Sequence, residues 1–140
     1  VIPGRVVMSL EIRDLDAAKI QKVFDRVRDQ AAAIATARGT QIDFKEVEVA
    51  SLPAPTDPRM RRVISQAAAA LGLSTKAMPS GAGHDAQDMA HIAPTGMIFV
   101  PSVGGVSHSP KEYTAPKDIA NGANVLLGTV LELDRGALER

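Results

Sequence analysis

His84 closes a run in which two glycines stand one residue apart: residues 80–86 read SGAGHDA, and the chain holds only three histidines. Gly81 and Gly83 allow positive φ, or let a ligand approach the backbone closely. A histidine after such a loop is a base, a metal ligand, a hydrogen-bonding clamp or a loop residue without chemistry. His108 stands in a second run, GGVSHSPKEYT at 104–114, between two serines and ahead of Pro110. A neutral imidazole in such a stiffened loop suits a zinc-like metal. Glu112, four residues on, is a partner for that ligand, a helix-capping carboxylate or a solvated charge. Arg13 ends a strand-like stretch. Its fork either pairs on the surface with Glu11 or Asp14, or holds a ligand carboxylate through two parallel hydrogen bonds.

Other chemistries fit poorly. The GAG of 81–83 has no following lysine and lacks the full glycine fingerprint of a nucleotide loop. Ser80, His84 and Asp85 make a weak hydrolase triad, because adjacent His and Asp side chains seldom orient one another and no nucleophile elbow is present. His91 falls at the end of a short helical stretch, where the helix dipole accounts for it. The absence of cysteine removes disulfides, thiol catalysis and cysteine-ligated zinc. Sixteen basic and sixteen acidic residues balance to zero, which leaves no electrostatic footprint for nucleic acid or an anionic membrane. A hydrophobic fraction of 45% supports a packed core. No apolar run is long enough to span a bilayer, and no signal peptide opens the chain. A cytoplasmic location fits these totals. The chain starts without Met and runs at once into strand-like sequence, as a piece of something longer does.

These residues need elements to hold them. Val6, Met8, Leu10 and Ile12 alternate with more polar neighbours, predicting a half-buried strand that puts Arg13 on the face opposite Ile12, its guanidinium free to reach a ligand. Asp14 or Asp16 caps a helix from about Ala17, with Ile20, Val23, Phe24, Val27, Ala31 and Ile34 as its stripe and Gly39 as its stop. Ile42 and Phe44, then Val47 and Val49, alternate with a slip at 45–46, which predicts a bulged strand or two short ones. The first 52 residues thus read as β-α-β. The proline-rich 51–58 reads as a linker, and Asp57-Pro58 starts a helix with Met60, Val63, Ile64, Ala67 and Leu71 on one face and Gly72 as its end. Beyond it, short strands are predicted at 75–78 and 96–101, a short helix at 86–91, and a last helix over 116–133 with Ile119, Ala123, Leu126, Leu127 and Val130 inward. This is α/β grammar with parallel pairing. Both polar loops follow strands, so they are expected to share one rim, with His84 near His108.

Taken in order, PSGAGHDA, TGMIFVPS, GVSHSP with Glu112 and Thr114, and the final helix resemble the C-terminal end of the hydantoinase/carbamoylase amidohydrolases. That family lies within the dinuclear zinc exopeptidases, which also include aminoacylases. The opening VIPGRVVMSLEIRD resembles a strand of the family's inserted lid or dimerisation domain. The resemblance implies part of a ferredoxin-like α+β lid over 1–52, followed by the C-terminal part of a zinc-exopeptidase-like α/β catalytic domain over 53–140. It implies that His108 is a metal ligand, that Gly83 and His84 contact substrate, that His84 stabilises the tetrahedral intermediate, and that Arg13 binds the substrate carboxylate.

It further implies two divalent metal ions, zinc or manganese, in the complete enzyme. The partners are a small substrate with a free carboxylate and a second copy bound through the lid, with no nucleic acid and no membrane. The family's other metal ligands and its catalytic glutamate lie upstream of the matching region, so the chain is expected to be an incomplete fragment, inactive alone. The reaction implied is hydrolysis of a linear amide C–N bond in an N-carbamoyl-L-amino acid or a ureido acid such as allantoate. A metallo-aminoacylase or peptidase of the same superfamily, or a non-catalytic dimerisation fragment, are the rival readings.

Overall fold

The structure is a computed structural model that describes residues 2–45 and 52–139. Its elements are helices: α1 (Ala17–Arg38), α2 (Pro58–Ala70), α3 (Asp85–Met89), a 3₁₀ turn at Val103–Gly105, and α4 (Pro116–Asp134). Two compact units form. Of the described residues, the first comprises 2–45 and 52–53 with 79–83, the second 54–78 with 84–139.

In the first unit α1 carries both ends that its sequence specifies. The Asp16 carboxylate accepts the Ala18 N–H at 2.9 Å, and the Asp14 carboxylate accepts that of Asp16. At the other end Gly39 takes φ 61°, where only glycine is unstrained, and donates its N–H to the Ala35 carbonyl. From the helix, Phe24 meets Phe44 edge to face, centroids 5.6 Å apart.

The second unit is built on α2 and α4. Asp57 caps α2, Pro58 occupies its first turn, and Gly72 follows its end at φ 70°. Val63, Ala67, Ala68 and Val125 form the core, with Ile64, Leu73 and Ile98 packed against it. The helices meet through small groups: a Cβ on Gly128 would lie 3.5 Å from that of Ala67. Thr129 is buried beside them and satisfies its hydroxyl on the Val125 carbonyl at 2.7 Å. The apolar run 96–101 crosses both helices. A side chain at Gly96 would strike Ile64 and Met60 of α2, and one at Gly122 of α4 would strike Val100.

Two expectations are corrected. Among the described residues there is no β-strand, so 6–12, 42–44, 75–78 and 96–101 are not strands and the α/β grammar is not realised. The reason is physical: alternation marks a side of a pleat, but a strand exists only when another strand takes up its N–H and C=O groups. Val6 and Met8 accordingly remain 67% and 85% exposed. The expected strand at Val47 and Val49 lies outside the described residues. The stripe assigned to α4 is also not its core face. Ile119 and Leu127 are 55% and 58% exposed, with Ala123, Leu126 and Val130 outward as well, while Val125 and Thr129 point inward. The shared rim expected for His84 and His108 rested on parallel strands, which the described residues do not contain.

Asp57 couples α2 to acid. Its carboxylate accepts from the Arg59 guanidinium and from the Arg59 backbone N–H, which lowers its pKa from 3.8 to about 2. Because the folded value is depressed, the stabilisation is present above 3.8 and is lost as pH falls through about 2. Asp57→Asn keeps the cap acceptor but not the charge. In thermal melts followed by circular dichroism, the wild-type chain is expected to exceed Asp57→Asn at neutral pH, and the gap to close by about pH 2.

Candidate functional site

Arg13 is not free. Its Nε donates to Glu11 Oε1 at 2.6 Å, Nη2 reaches the same oxygen at 2.5 Å, and Nη1 donates to the Gly81 carbonyl at 3.0 Å. The last bond joins residues 68 positions apart, within the first unit. One edge of the guanidinium thus sits on a single oxygen of Glu11, the surface pairing that was one of its two readings, while Nη1 anchors it to the glycine run. Both partners of the ion pair are more than half exposed, and such pairs are worth about 0.2–1 kcal/mol. A second carboxylate can displace Glu11 at small cost.

Of the two readings of the glycine run, positive φ is not the one realised. Gly81 and Gly83 do not take positive φ, and a Cβ at either would meet nothing within 4 Å. The chain's own packing does not require glycine there. The Ser80 hydroxyl accepts the Ala82 N–H at 3.3 Å and closes a small turn between them.

In the second unit His84 precedes α3 in an extended conformation, φ −139°, and its carbonyl accepts the Gln87 N–H at 2.8 Å. Its half-buried ring meets Phe99 edge to face at 5.6 Å. Phe99 belongs to the 96–101 run, so the packing of that run on the helices sets one wall beside the imidazole. Sequence reasoning treated Phe99 only as part of an apolar run. His91 is exposed just past α3, its N–H on the Asp88 carbonyl at 3.2 Å.

His108 lies in a braced loop. The ends are tied by the Val103 N–H on the Tyr113 carbonyl at 2.8 Å, and the Ser102 hydroxyl donates to the Val106 carbonyl at 2.5 Å. Gly104 and Gly105 take φ 67° and 69°. His108 itself sits at φ 54°, a region that non-glycine residues enter rarely and at a cost. Glu112 Oε2 accepts its backbone N–H at 2.9 Å. The exposed Glu112 carboxylate thus binds the histidine's backbone and not its ring, a contact that differs from each of the three readings open for it.

The described residues do not by themselves make a metal site: no group of three or more histidine, aspartate, glutamate or cysteine side chains among them is placed to hold an ion. His108 offers one imidazole and its neighbour Glu112 is turned to the backbone. A hollow of about 420 Å³ in the second unit, walled by Thr56, Asp57, Arg61 and Thr95, includes none of the three histidines. Its charges are engaged, Asp57 with Arg59 and Arg61 with Thr56. No helix among the described residues is long and apolar enough to cross a membrane.

Residues 5–132 match the family model described as Peptidase family M20/M25/M40. The chain belongs to this family. Among relatives of this M20-family chain, it is 37% identical over 132 residues to ureidoglycolate hydrolase of Arabidopsis thaliana, covering 94% of this chain and 28% of that protein. It is 38% identical over 136 residues to N-carbamoyl-L-amino acid amidohydrolase of Geobacillus stearothermophilus, covering 97% and 33%. The solved structure of an amidase of the hydantoinase/carbamoylase family from Burkholderia multivorans superposes with a TM-score of 0.72 at 36% identity, over 85% of this chain and 29% of that one. The family read from GAGHDA and SHSP is thus borne out, and the helices α1–α4 are part of the M20 fold. The M20-family chain spans about a third or less of the relatives it matches.

Proposed function

We propose that this chain works as part of a hydrolase of linear amide C–N bonds, acting on N-carbamoyl-L-amino acids or ureido acids such as allantoate. The observation that carries the reading is the family match over residues 5–132, joined to relatives named for amide and ureide hydrolysis. In the full-length enzyme residues 1–52 contribute to a ferredoxin-like lid that pairs two copies, and 53–140 complete an α/β catalytic domain in the cytoplasm. The alternation of Val6 and Met8, both exposed, supports the lid reading, since it is the apolar pattern that a strand of such a lid would carry once paired.

Two divalent ions, zinc or manganese, belong to this reading, with His108 as one ligand. Because this chain supplies a single candidate ligand, the steps assigned to it are those of Arg13, Gly83 and His84. Arg13 exchanges Glu11 for the substrate carboxylate and so fixes one end of the substrate. Gly83, with no side chain, lets the backbone lie against the bound amide. His84 donates a hydrogen bond to the carbonyl oxygen as negative charge develops on it, and Phe99 limits the ring's motion. The Arg13 bond to Gly81, two residues before Gly83, supports a common role for the guanidinium and the glycine run.

A substrate panel tests the function. The full-length protein is expected to release ammonia from N-carbamoyl-L-amino acids or allantoate, and to leave N-acyl amino acids and dipeptides intact. Hydrolysis of the N-acyl or dipeptide substrates without ammonia release would move the protein to the aminoacylase or peptidase side of the superfamily.

A further inference from the structure

We infer that Glu112 is a positioning residue for His108: its carboxylate holds the histidine's backbone in the left-handed region and so sets the direction in which the imidazole leaves the chain. The inference rests on the reading of His108 as a working residue. His108 is the one non-glycine residue with positive φ among the described residues. Such a conformation persists only where its surroundings over-determine it. Glycine would relieve the strain at no local cost, yet would supply no imidazole.

The loop provides the constraint in layers. Val103 and Tyr113 tie its ends, and the Ser102 hydroxyl holds Val106 from within. The Glu112 N–H returns to the Ser109 carbonyl at 2.9 Å, while the Ser109 hydroxyl accepts the Lys111 N–H at 3.3 Å. This turn carries the Glu112 side chain back over the tip, where Oε2 takes the His108 N–H at 2.9 Å. The bond is charge-assisted, with an ionised acceptor, and so among the stronger of its kind. It lands on the backbone and not on the ring, so Glu112 fixes where the ring points without altering its chemistry. Removing the carboxylate exposes the N–H to water and frees His108 to enter the right-handed region, which swings its Cα–Cβ bond.

The test is a double-mutant cycle in the full-length protein, with amide exchange at His108 as a readout independent of activity. Glu112→Ala is expected to lower kcat about 10-fold, the lower end for residues that orient a working side chain, with KM little changed. Glu112→Gln keeps a carbonyl acceptor and is expected to recover most of the loss. The His108 amide is expected to exchange faster in Glu112→Ala and at the normal rate in Glu112→Gln. In a His108→Ala background, Glu112→Ala is expected to cost nothing further. An equal loss in that background, or an unchanged His108 amide in Glu112→Ala, overturns the inference while leaving His108 in place. Normal turnover by His108→Ala alone overturns the reading of His108, and the positioning role with it.

Discussion

His108→Ala, made in the full-length protein, is expected to cut ammonia release from a carbamoyl substrate by about 100-fold or more, and to lower the metal retained after dialysis. Residues that merely orient a metal ligand are worth about 10–100-fold, so loss of a ligand itself belongs at or beyond the top of that range. Folding is expected to survive. His108 is exposed, its side chain lies outside the core of Val63, Ala67, Ala68 and Val125, and alanine removes no buried group. His91→Ala is the control. It too is an exposed histidine, but it stands past the end of α3 with only its backbone engaged, and is expected to change neither metal nor turnover. Near-normal behaviour of both variants would make His108 a loop residue.

Arg13→Lys is the second large effect. An ammonium keeps the charge but is a point donor. It cannot place one edge on a carboxylate while the other holds the Gly81 carbonyl, as the guanidinium does with Glu11 in this structure. A hydrogen bond to a charged group is worth about 1.5–3 kcal/mol, which converts to a loss of about 10–100-fold in kcat/KM. The loss should fall on substrates with a free carboxylate. With the matching carboxamide, wild type and variant are expected to converge, because neither then has the anion to bind. Thermal stability is expected to change little, since the pair lost is exposed on both sides.

What could be read from the sequence follows from how local each signal is. Asp16 and Gly39, or Asp57 with Pro58, act within a turn of their own helix, so the ends of α1 and the start of α2 were legible. Strands were not. Val6 to Ile12 states which face is apolar, yet pairing depends on a partner elsewhere, and the described residues contain none. The α4 stripe failed for a related reason. Ile119, Leu126, Leu127 and Val130 are the more apolar face, but α2 approaches where side chains are small, at Gly128 and Ala67, and so buries Val125 and Thr129.

The candidate residues divide in the same way. The histidines and Arg13 announce themselves by type and by motif. The Arg13 bond to Gly81 spans 68 residues and no pattern in the chain points to it. Glu112 stood out by its spacing from His108, yet three roles fitted equally. The contact observed, Oε2 on the backbone N–H of a left-handed His108, differs from each of them.

Whether Arg13 clamps the substrate's carboxylate is decided by a crystal structure of the full-length protein with a ureido acid or its carboxylate product bound. The ligand carboxylate is expected on the Nε and Nη2 edge of Arg13, with Glu11 displaced from that edge and Nη1 still on the Gly81 carbonyl. A ligand carboxylate held by other residues, with Arg13 still paired to Glu11, would contradict it.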